Sequence, residues 1–468
     1  MKKLKKIELE EDVKHLLKLL QEYGEGYVVG GYVRDKLLDL EPHDCDFVTN
    51  LSYEKLLNIF KDYSPKEIGK AFGIIQIQYN GKTYEIAKYR KDIGIPEDRR
   101  EQEIEFTNDI MEDLKRRDFT INAIAFDGEK YICSKESESD ICYKILRFVG
   151  VPEQRIQEDP LRIMRFFRLY ITKNKNTDLE YDNKSHIAIY KYAHLLKNIS
   201  YERIRDEFNK ILMSWNPEGI IDIMIKSKVF QQFIPEWEDI IGFEQQNKHH
   251  NLTVDEHILK ALSCTTPDLI LRLATLFHDI GKPKCFSIDE NHQGHFYGHE
   301  KISADIAKKI LTRMKYDNDT IERVYKLIKY HLFYKSEVDK AYVKKMINRL
   351  GEEDMYRFFK LVEADKIAHV GPYDFTSIDK MKILLHEIIS NKEPLSLKDL
   401  AINGNDLKEL GLSEGKQIGQ ILKQLLDRVI ENPDINYREN LMYIADLIIH
   451  PEKIELARQK HEEEMKNI

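Results

Sequence analysis

The segment His43-Asp44-Cys45-Asp46-Phe47-Val48-Thr49 carries two carboxylates two positions apart, running into an apolar, β-branched stretch. On a strand, Asp44 and Asp46 point to one face and Cys45 to the other, so both carboxylates are available to a shared pair of metal ions. The plain alternative for such a segment is a solvated strand end.

The flanking sequence bears on that choice. Upstream, Val28-Val29-Gly30-Gly31-Tyr32-Val33-Arg34-Asp35 is an apolar strand entering paired glycines and then a helix over Val33–Leu38. Glycines at such a turn let backbone N–H groups approach a phosphate closely, although ordinary turn chemistry also uses them. Downstream, a strand over Lys82–Arg90 holds Glu85 among apolar neighbours and supplies a third carboxylate. Arg116-Arg117-Asp118-Phe119-Thr120-Ile121-Asn122-Ala123 then places two guanidinium groups, a carboxylate and an amide in one short segment. Arginine forks match phosphate oxygens, and Asp and Asn bond ribose hydroxyls. A helix N-terminus with surface charges is the competing reading. Two Mg²⁺ ions on the carboxylates would lower the pKa of an attacking hydroxyl and stabilise a departing pyrophosphate.

The three motifs in order, GGxVRD, DxD and RRDFTINA, make the chain resemble the class II tRNA nucleotidyltransferases and bacterial poly(A) polymerases. The resemblance implies an α+β protein, with a polymerase-β-like nucleotidyltransferase palm followed by an all-helical neck, an α-helical HD domain and a helical tail. It also implies Mg²⁺ at Asp44 and Asp46, and a nucleotide held by Arg116, Arg117, Asp118 and Asn122; the residues themselves add Glu85 to the catalytic set and Gly30, Gly31 and Arg34 to the nucleotide-binding set. The expected divisions are 1–150 for the palm, 151–242 for the neck, 243–372 for the HD domain and 373–468 for the tail.

Glu158-Asp159-Pro160-Leu161-Arg162 matches the family's EDxxR motif, the amino-acid template for the incoming base, with Arg165 among the nucleotide-binding residues. A helix starting here puts Asp159 and Arg162 on one face at i and i+3, where the competing reading is an intrahelical salt bridge. Cytosine and adenine present an amino donor beside a ring-nitrogen acceptor; uracil and guanine present a carbonyl beside a ring N–H. Carboxylate plus guanidinium complements only the first pattern. The segment Tyr89 to Phe106, containing Asp98-Arg99-Arg100, sits where CCA-adding relatives carry a loop that switches from CTP to ATP. Ser200-Tyr201-Glu202-Arg203-Ile204 resembles the family's helix-stabilising neck motif and is read as structural.

A second set lies in the helical region: His257, His278, Asp279, His299, His331 and Asp365. Imidazoles with carboxylates suit transition metals, while any one of these histidines alone fits a core or surface role. His278-Asp279-Ile280-Gly281-Lys282, Gly298-His299-Glu300 and Ala364-Asp365 resemble the HD phosphohydrolase superfamily. That resemblance implies His257, His278, Asp279 and Asp365 as core ligands of a divalent transition metal, with His299 and His331 completing a second. A metal-activated water attacking a phosphoester is the matching chemistry. tRNA ends bearing phosphate or 2′,3′-cyclic phosphate are the expected substrates, because a polymerase needs a free 3′-hydroxyl.

The 468 residues are 42% hydrophobic and 33% charged, enough for several packed domains in a soluble chain. A net charge of −8 argues against a uniformly basic nucleic-acid coat, though local Lys and Arg clusters can still track phosphates. Five scattered cysteines without CxxC spacing suggest neither a disulfide framework nor a zinc knuckle. No membrane span or signal peptide is expected, and the expected location is the cytoplasm. The expected partners are tRNA, CTP and ATP, with no DNA and no membrane. The expected reaction is template-independent addition of CCA to tRNA. Poly(A) polymerisation is an alternative, disfavoured by the arginine-free strand Gly73-Ile74-Ile75-Gln76-Ile77-Gln78. Two others stay open: addition of the terminal A alone, and an HD hydrolase using a silent palm only to bind RNA.

Overall fold

The computed structural model describes residues 4–93, 103–247, 251–332, 338–412 and 415–453. Two compact units form, Met1–Asp239 with Thr312–Lys315, and Ile240–Leu311 with Tyr316–Ile468. The class is α+β, with a sheet in the first unit and helices through the rest.

The first unit opens with α1 (Glu11–Gln21), whose Val13, Leu16, Leu17 and Leu20 are buried at helical spacing. Strands β1 (Gly26–Val29), β2 (Asp46–Thr49), β3 (Lys66–Gly69), β4 (Ile74–Tyr79), β5 (Lys82–Lys88), β6 (Arg90–Ile93), β7 (Glu103–Phe106), β8 (Ile124–Phe126) and β9 (Tyr131–Cys133) follow, with a short parallel pair, Ile145–Leu146 and Glu180–Tyr181, later in the unit. Seven make one sheet in the order β3-β4-β5-β2-β1-β8-β9, and β6 pairs with β7 separately. Strands β1 and β2 are antiparallel, while β2 and β5 run parallel with Asp46 opposite Glu85. Interleaved helices are α2 (Gly31–Leu37), α3 (Tyr53–Ile59), α4 (Ile110–Lys115) and α5 (Lys135–Tyr143). Helix α2 starts two residues before the expected Val33, because Gly30 turns the chain with φ +70°. A Cβ at Gly30 would also lie 3.0 Å from Arg117 Nη1.

Five helices complete this unit: α6 (Pro152–Glu158), α7 (Arg162–Thr177), α8 (Asn183–Tyr192), α9 (Tyr201–Leu212) and α10 (Pro217–Lys226). One expectation is corrected here. Asp159 does not share a helix with Arg162: it caps the end of α6 in an extended conformation (φ −149°, ψ 95°), and α7 begins at Arg162. Pro160 lacks an N–H and excludes the α conformation from the residue before it, which breaks the helix there.

The second unit contains α11 (Val254–Ser263), α12 (Leu269–Phe277), α13 (His299–Arg313), α14 (Asn318–Tyr330), α15 (Lys340–Leu350), α16 (Glu352–Ala368), α17 (Thr376–Ser390), α18 (Gly404–Glu409), α19 (Lys416–Glu431) and α20 (Arg438–Ile449). Helix α16 packs against α11, α12 and α14, and buries residues around most of its circumference, Met355, Phe358, Phe359, Leu361, Val362 and Ala364 among them. Leu400, Leu407, Ile421, Leu425, Val429 and Leu441 form a separate apolar cluster in α18–α20 and the segment before them. No described helix is long and apolar enough to cross a membrane.

Candidate active sites

In the first unit, the register of β2 on β5 makes Asp46 and Glu85 direct cross-strand partners on one face. Asp44, Asp46 and Glu85 are exposed and Cys45 is buried, so the alternation expected of the DxD segment holds although β2 begins only at Asp46. Like charges placed opposite one another on a sheet repel. Asp46 reaches solvent, yet the surrounding walls strip much of its hydration; with Glu85 and Asp44 adding repulsion against Arg117, its carboxyl is pushed up to about 6. The ligand atoms of these three acids do not all close to within 4.8 Å of one another. A hard divalent cation takes carboxylate oxygens and removes this repulsion, so the donor set fits Mg²⁺.

A cleft of about 680 Å³ opens beside Asp46. It gathers Gly30, Gly31, Arg116, Arg117, Asp118, Asn122, Asp159, Arg162 and Arg165, drawn from segments more than a hundred positions apart. Arg34 is buried and supports this wall: Nη1 donates to Asn122 Oδ1 (2.6 Å) and Nε to Asp35 (2.8 Å). The amide of Asn122 in turn donates to Asp118 Oδ1 at 3.0 Å, which fixes its orientation. Lys173 of α7 anchors the other oxygen of Asp35 at 2.9 Å.

The arginine pair is aimed by a residue absent from the sequence-derived set. Asp113, fully buried on α4, accepts from Arg116 Nε (2.9 Å) and Nη2 (2.7 Å) through one oxygen, and from Arg117 Nη2 (3.1 Å) through the other. Burial raises the pKa of Asp113, but Arg117 and Arg116 outweigh it and hold the group below its ordinary value. The signal was present in the sequence as an acid three and four positions ahead of the two arginines.

Asp159 and Arg162 both line the cleft, without the intrahelical salt bridge of the competing reading. Arg162 Nη1 binds Glu158 Oε2 (2.7 Å) and the Arg155 carbonyl (2.9 Å), and Nη2 binds the Arg116 carbonyl (3.1 Å). Asp159 instead receives Arg203 Nη2 at 3.2 and 3.3 Å. Arg203 thus belongs to the site, a role the neck motif did not reveal. Arg165 lies 3.6 Å from Asp118 Oδ2. Asp98, Arg99 and Arg100 of the expected switching loop lie outside the described residues.

The second unit brings together all six residues of the His/Asp set. Single ligand atoms of His257, His278, Asp279 and Asp365 lie within 4.8 Å of one another, as do those of Asp279, His299 and His331. Three rings are locked alike: Nδ1 of His278, His299 and His331 donates to the carbonyls of Thr275 (2.7 Å), Phe296 (2.7 Å) and Ile328 (2.6 Å). A neutral ring held so presents its Nε2 lone pair. The three Nε2 atoms converge on Asp279 at 3.3, 3.1 and 3.8 Å. Among the described residues, His278 Nε2 and His299 Nε2 are buried without a hydrogen-bond partner. Inward-facing buried lone pairs of this kind suit a transition metal.

Burial opposes a charge on His278, but Asp279 and Asp365 raise its pKa to about 10, while burial with repulsion from His278 and His299 pushes His331 down to about 3. Asp279, Asp365, His299 and His331 border a cavity of about 770 Å³, joined by Lys282 and His369. Lys282 Nζ bridges Asp279 Oδ2 (2.6 Å) and Gln245 Oε1 (2.8 Å), and the His369 ring stacks on His257 at 5.0 Å. Lys282 ended the quoted His278–Lys282 string, and His369 follows Asp365 by one helical turn; neither had been singled out.

Residues 26–142 match the poly A polymerase head domain, 178–241 the "Probable RNA and SrmB-binding site of polymerase A", and 296–445 the tRNA nucleotidyltransferase domain 2. The chain is 30% identical over 419 residues to the CCA-adding enzyme of Streptococcus pyogenes serotype M3 (strain ATCC BAA-595 / MGAS315), covering 89% of this chain and 91% of that one. Its fold is similar to that of the Bacillus stearothermophilus CCA-adding enzyme in complex with CTP (TM-score 0.67, 21% identity, 97% of this chain and 100% of that one). It is also similar to that of the Thermotoga maritima CCA-adding enzyme complexed with tRNA (TM-score 0.56, 18% identity, 95% and 99%).

Proposed function

The chain belongs to the CCA-adding enzymes, and from that premise we propose that it completes the 3′ end of tRNA with C, C and A, using CTP and ATP and no nucleic-acid template. The observation that carries this reading is the cleft itself, where Asp46, the Arg116/Arg117 pair and Asp159 with Arg162 share one wall system. Asp44, Asp46 and Glu85 would hold Mg²⁺, which when bound would supply acidification of the attacking 3′-hydroxyl and charge neutralisation at the departing pyrophosphate. Arg116 and Arg117, braced by Asp113, bind the triphosphate, and Asp118 with Asn122 binds the ribose. Asp159 accepts the amino group of cytosine or adenine while Arg162 donates to the ring nitrogen. Arg162 has the capacity: its described bonds use both Nη1 hydrogens and one on Nη2, leaving the Nε–H and a second Nη2–H.

Four functional parts are assigned on this reading: palm 1–150, neck 151–242, HD domain 243–372 and tRNA-binding tail 373–468. The test is incorporation into tRNAs lacking CCA, CC-A stepwise, with CTP and ATP supplied singly and together. Stepwise C, C, A and a stop is expected. Long adenosine runs would establish a poly(A) polymerase, and A added only after CC would establish a divided pathway.

The His/Asp cluster we read as a metal-dependent phosphohydrolase of HD type acting on RNA ends or nucleotides. The inward Nε2 atoms of His278, His299 and His331, converging on Asp279, carry that reading. The six ligands would hold divalent transition metal, which when bound supplies an activated water. Lys282 fixes the Asp279 carboxylate and adds positive charge where a phosphate would lie. Release of phosphate from 3′-phosphorylated RNA is expected from wild type. Undiminished release from a His278→Ala, Asp279→Ala variant would sink the assignment.

A further inference from the structure

We infer that Tyr297, backed by His295, is the base-stacking residue of the His/Asp site, so that the substrate is a nucleoside phosphomonoester and not a simple phosphate ester. The inference rests on the phosphohydrolase reading and deepens it. Tyr297 is 78% exposed, and its ring lies parallel to that of His295, 7° between planes and 5.2 Å between centroids. Both rings line the same 770 Å³ cavity as Asp279, His299 and His331.

The platform is held firmly. His295 Nε2 lies 2.9 Å from Asp289 Oδ2, and its neighbour Gly294 is pinned by N–H donation to the Gln246 carbonyl (2.8 Å) and by Asn247 Nδ2 at 3.1 Å. A Cβ at Gly294 would sit 2.3 Å from the Gln245 carbonyl oxygen, so no larger residue fits the approach. Tyr297 stands two residues before the ligand His299, which limits their Cα separation to about 7 Å. That spacing suits a base on the ring with its phosphate at the metal ligands. A second aromatic, Tyr373, 47% exposed, also borders the cavity. Bases stack on aromatic faces irrespective of sequence, and a cavity of this volume accommodates a nucleotide.

The reaction is hydrolysis. Water adds to phosphorus, the bond from phosphorus to the ribose oxygen breaks, and a water proton ends on that oxygen, leaving a 3′-hydroxyl and inorganic phosphate. Nothing is oxidised or reduced.

The test uses the full chain loaded with Mn²⁺ and three probes: adenosine 3′-monophosphate, an oligoribonucleotide with a 3′-phosphate, and base-free glycerol 2-phosphate. Tyr297→Ala is expected to raise KM about ten-fold for one or both base-bearing probes, as loss of one aromatic stack does, with glycerol 2-phosphate unaffected. Tyr297→Phe should retain the wild-type KM. An effect on the oligonucleotide alone identifies an RNA end as the source; an effect on both includes free nucleotides. Independently of turnover, photolabelling with 8-azidoadenosine 3′-phosphate should mark the peptide containing Tyr297. Equal KM changes for all three probes, or labelling confined to other peptides, would overturn the inference while leaving the hydrolase intact. Hydrolysis of none of the probes by wild type removes the phosphohydrolase reading and the inference with it.

Discussion

Asp159 is held by Arg203, 44 positions further along the chain, through two contacts from Nη2 at 3.2 and 3.3 Å. The carboxylate proposed to read the base amino group is therefore oriented from α9 as well as by the Leu161 N–H, which donates to its Oδ1 at 3.3 Å. Arg203→Ala should leave the triphosphate contacts in place and release Asp159. Single-nucleotide kinetics are expected to show kcat/KM for CTP and ATP falling about ten-fold, the equivalent of one charge-assisted hydrogen bond, and UTP misincorporation rising. A uniform fall for all nucleotides would contradict an orienting role.

Asp113→Asn should uncouple both arginines and destabilise the protein by about 3 kcal/mol, as removal of one member of a buried ion cluster does. The folded pKa of Asp113 is lowered, so its stabilisation is present above the unfolded value and lost as pH falls through the folded one. Urea denaturation should thus separate wild type from variant near neutrality. The gap should narrow below about pH 4.

Asp46→Asn is expected to abolish nucleotide transfer while raising thermal stability in EDTA. The folded pKa of Asp46 is raised to about 6 by lost hydration and then by repulsion from Glu85, so its charge costs stability above that pH and the cost is relieved as pH falls through it. Melting curves in EDTA at pH 8 should favour the variant, and the advantage should shrink by pH 5. A variant less stable than wild type at pH 8 would mean that the carboxylates do not repel.

Metal uptake at the His/Asp cluster must expel the proton that His278 holds below about pH 10. Calorimetric titration with Mn²⁺ in buffers of differing ionisation enthalpy should therefore register proton release near pH 7.5, with affinity increasing as pH rises. In His278→Ala, elemental analysis should show lost metal while C and A incorporation is kept. Loss of both would tie the cluster to transfer chemistry.

Much of this was legible in the residue order because it is local. The period-two alternation around Cys45 fits one-sided exposure of Asp44 and Asp46, and the apolar run Leu269–Phe277 forms α12. The order of the palm motifs indicated the family, and the 30% identity to a CCA-adding enzyme bears that out. The helix drawn through Asp159 failed, although Pro160 supplied the signal that it would break. Asp113 and Lys282 went unnoticed because a buried acid or lysine looks like any surface charge until its burial is known.

The sequence by itself determined the α+β class, the family and which residue types were available for chemistry, since periodicity and motif spacing act over a few residues. Only the tertiary structure decided that Glu85 faces Asp46, that Arg203 and not Arg162 holds Asp159, and that three histidine Nε2 atoms converge on Asp279. Strand register and helix packing are set by long-range burial, which no local pattern encodes; each Nδ1 is captured locally, by a carbonyl three residues upstream.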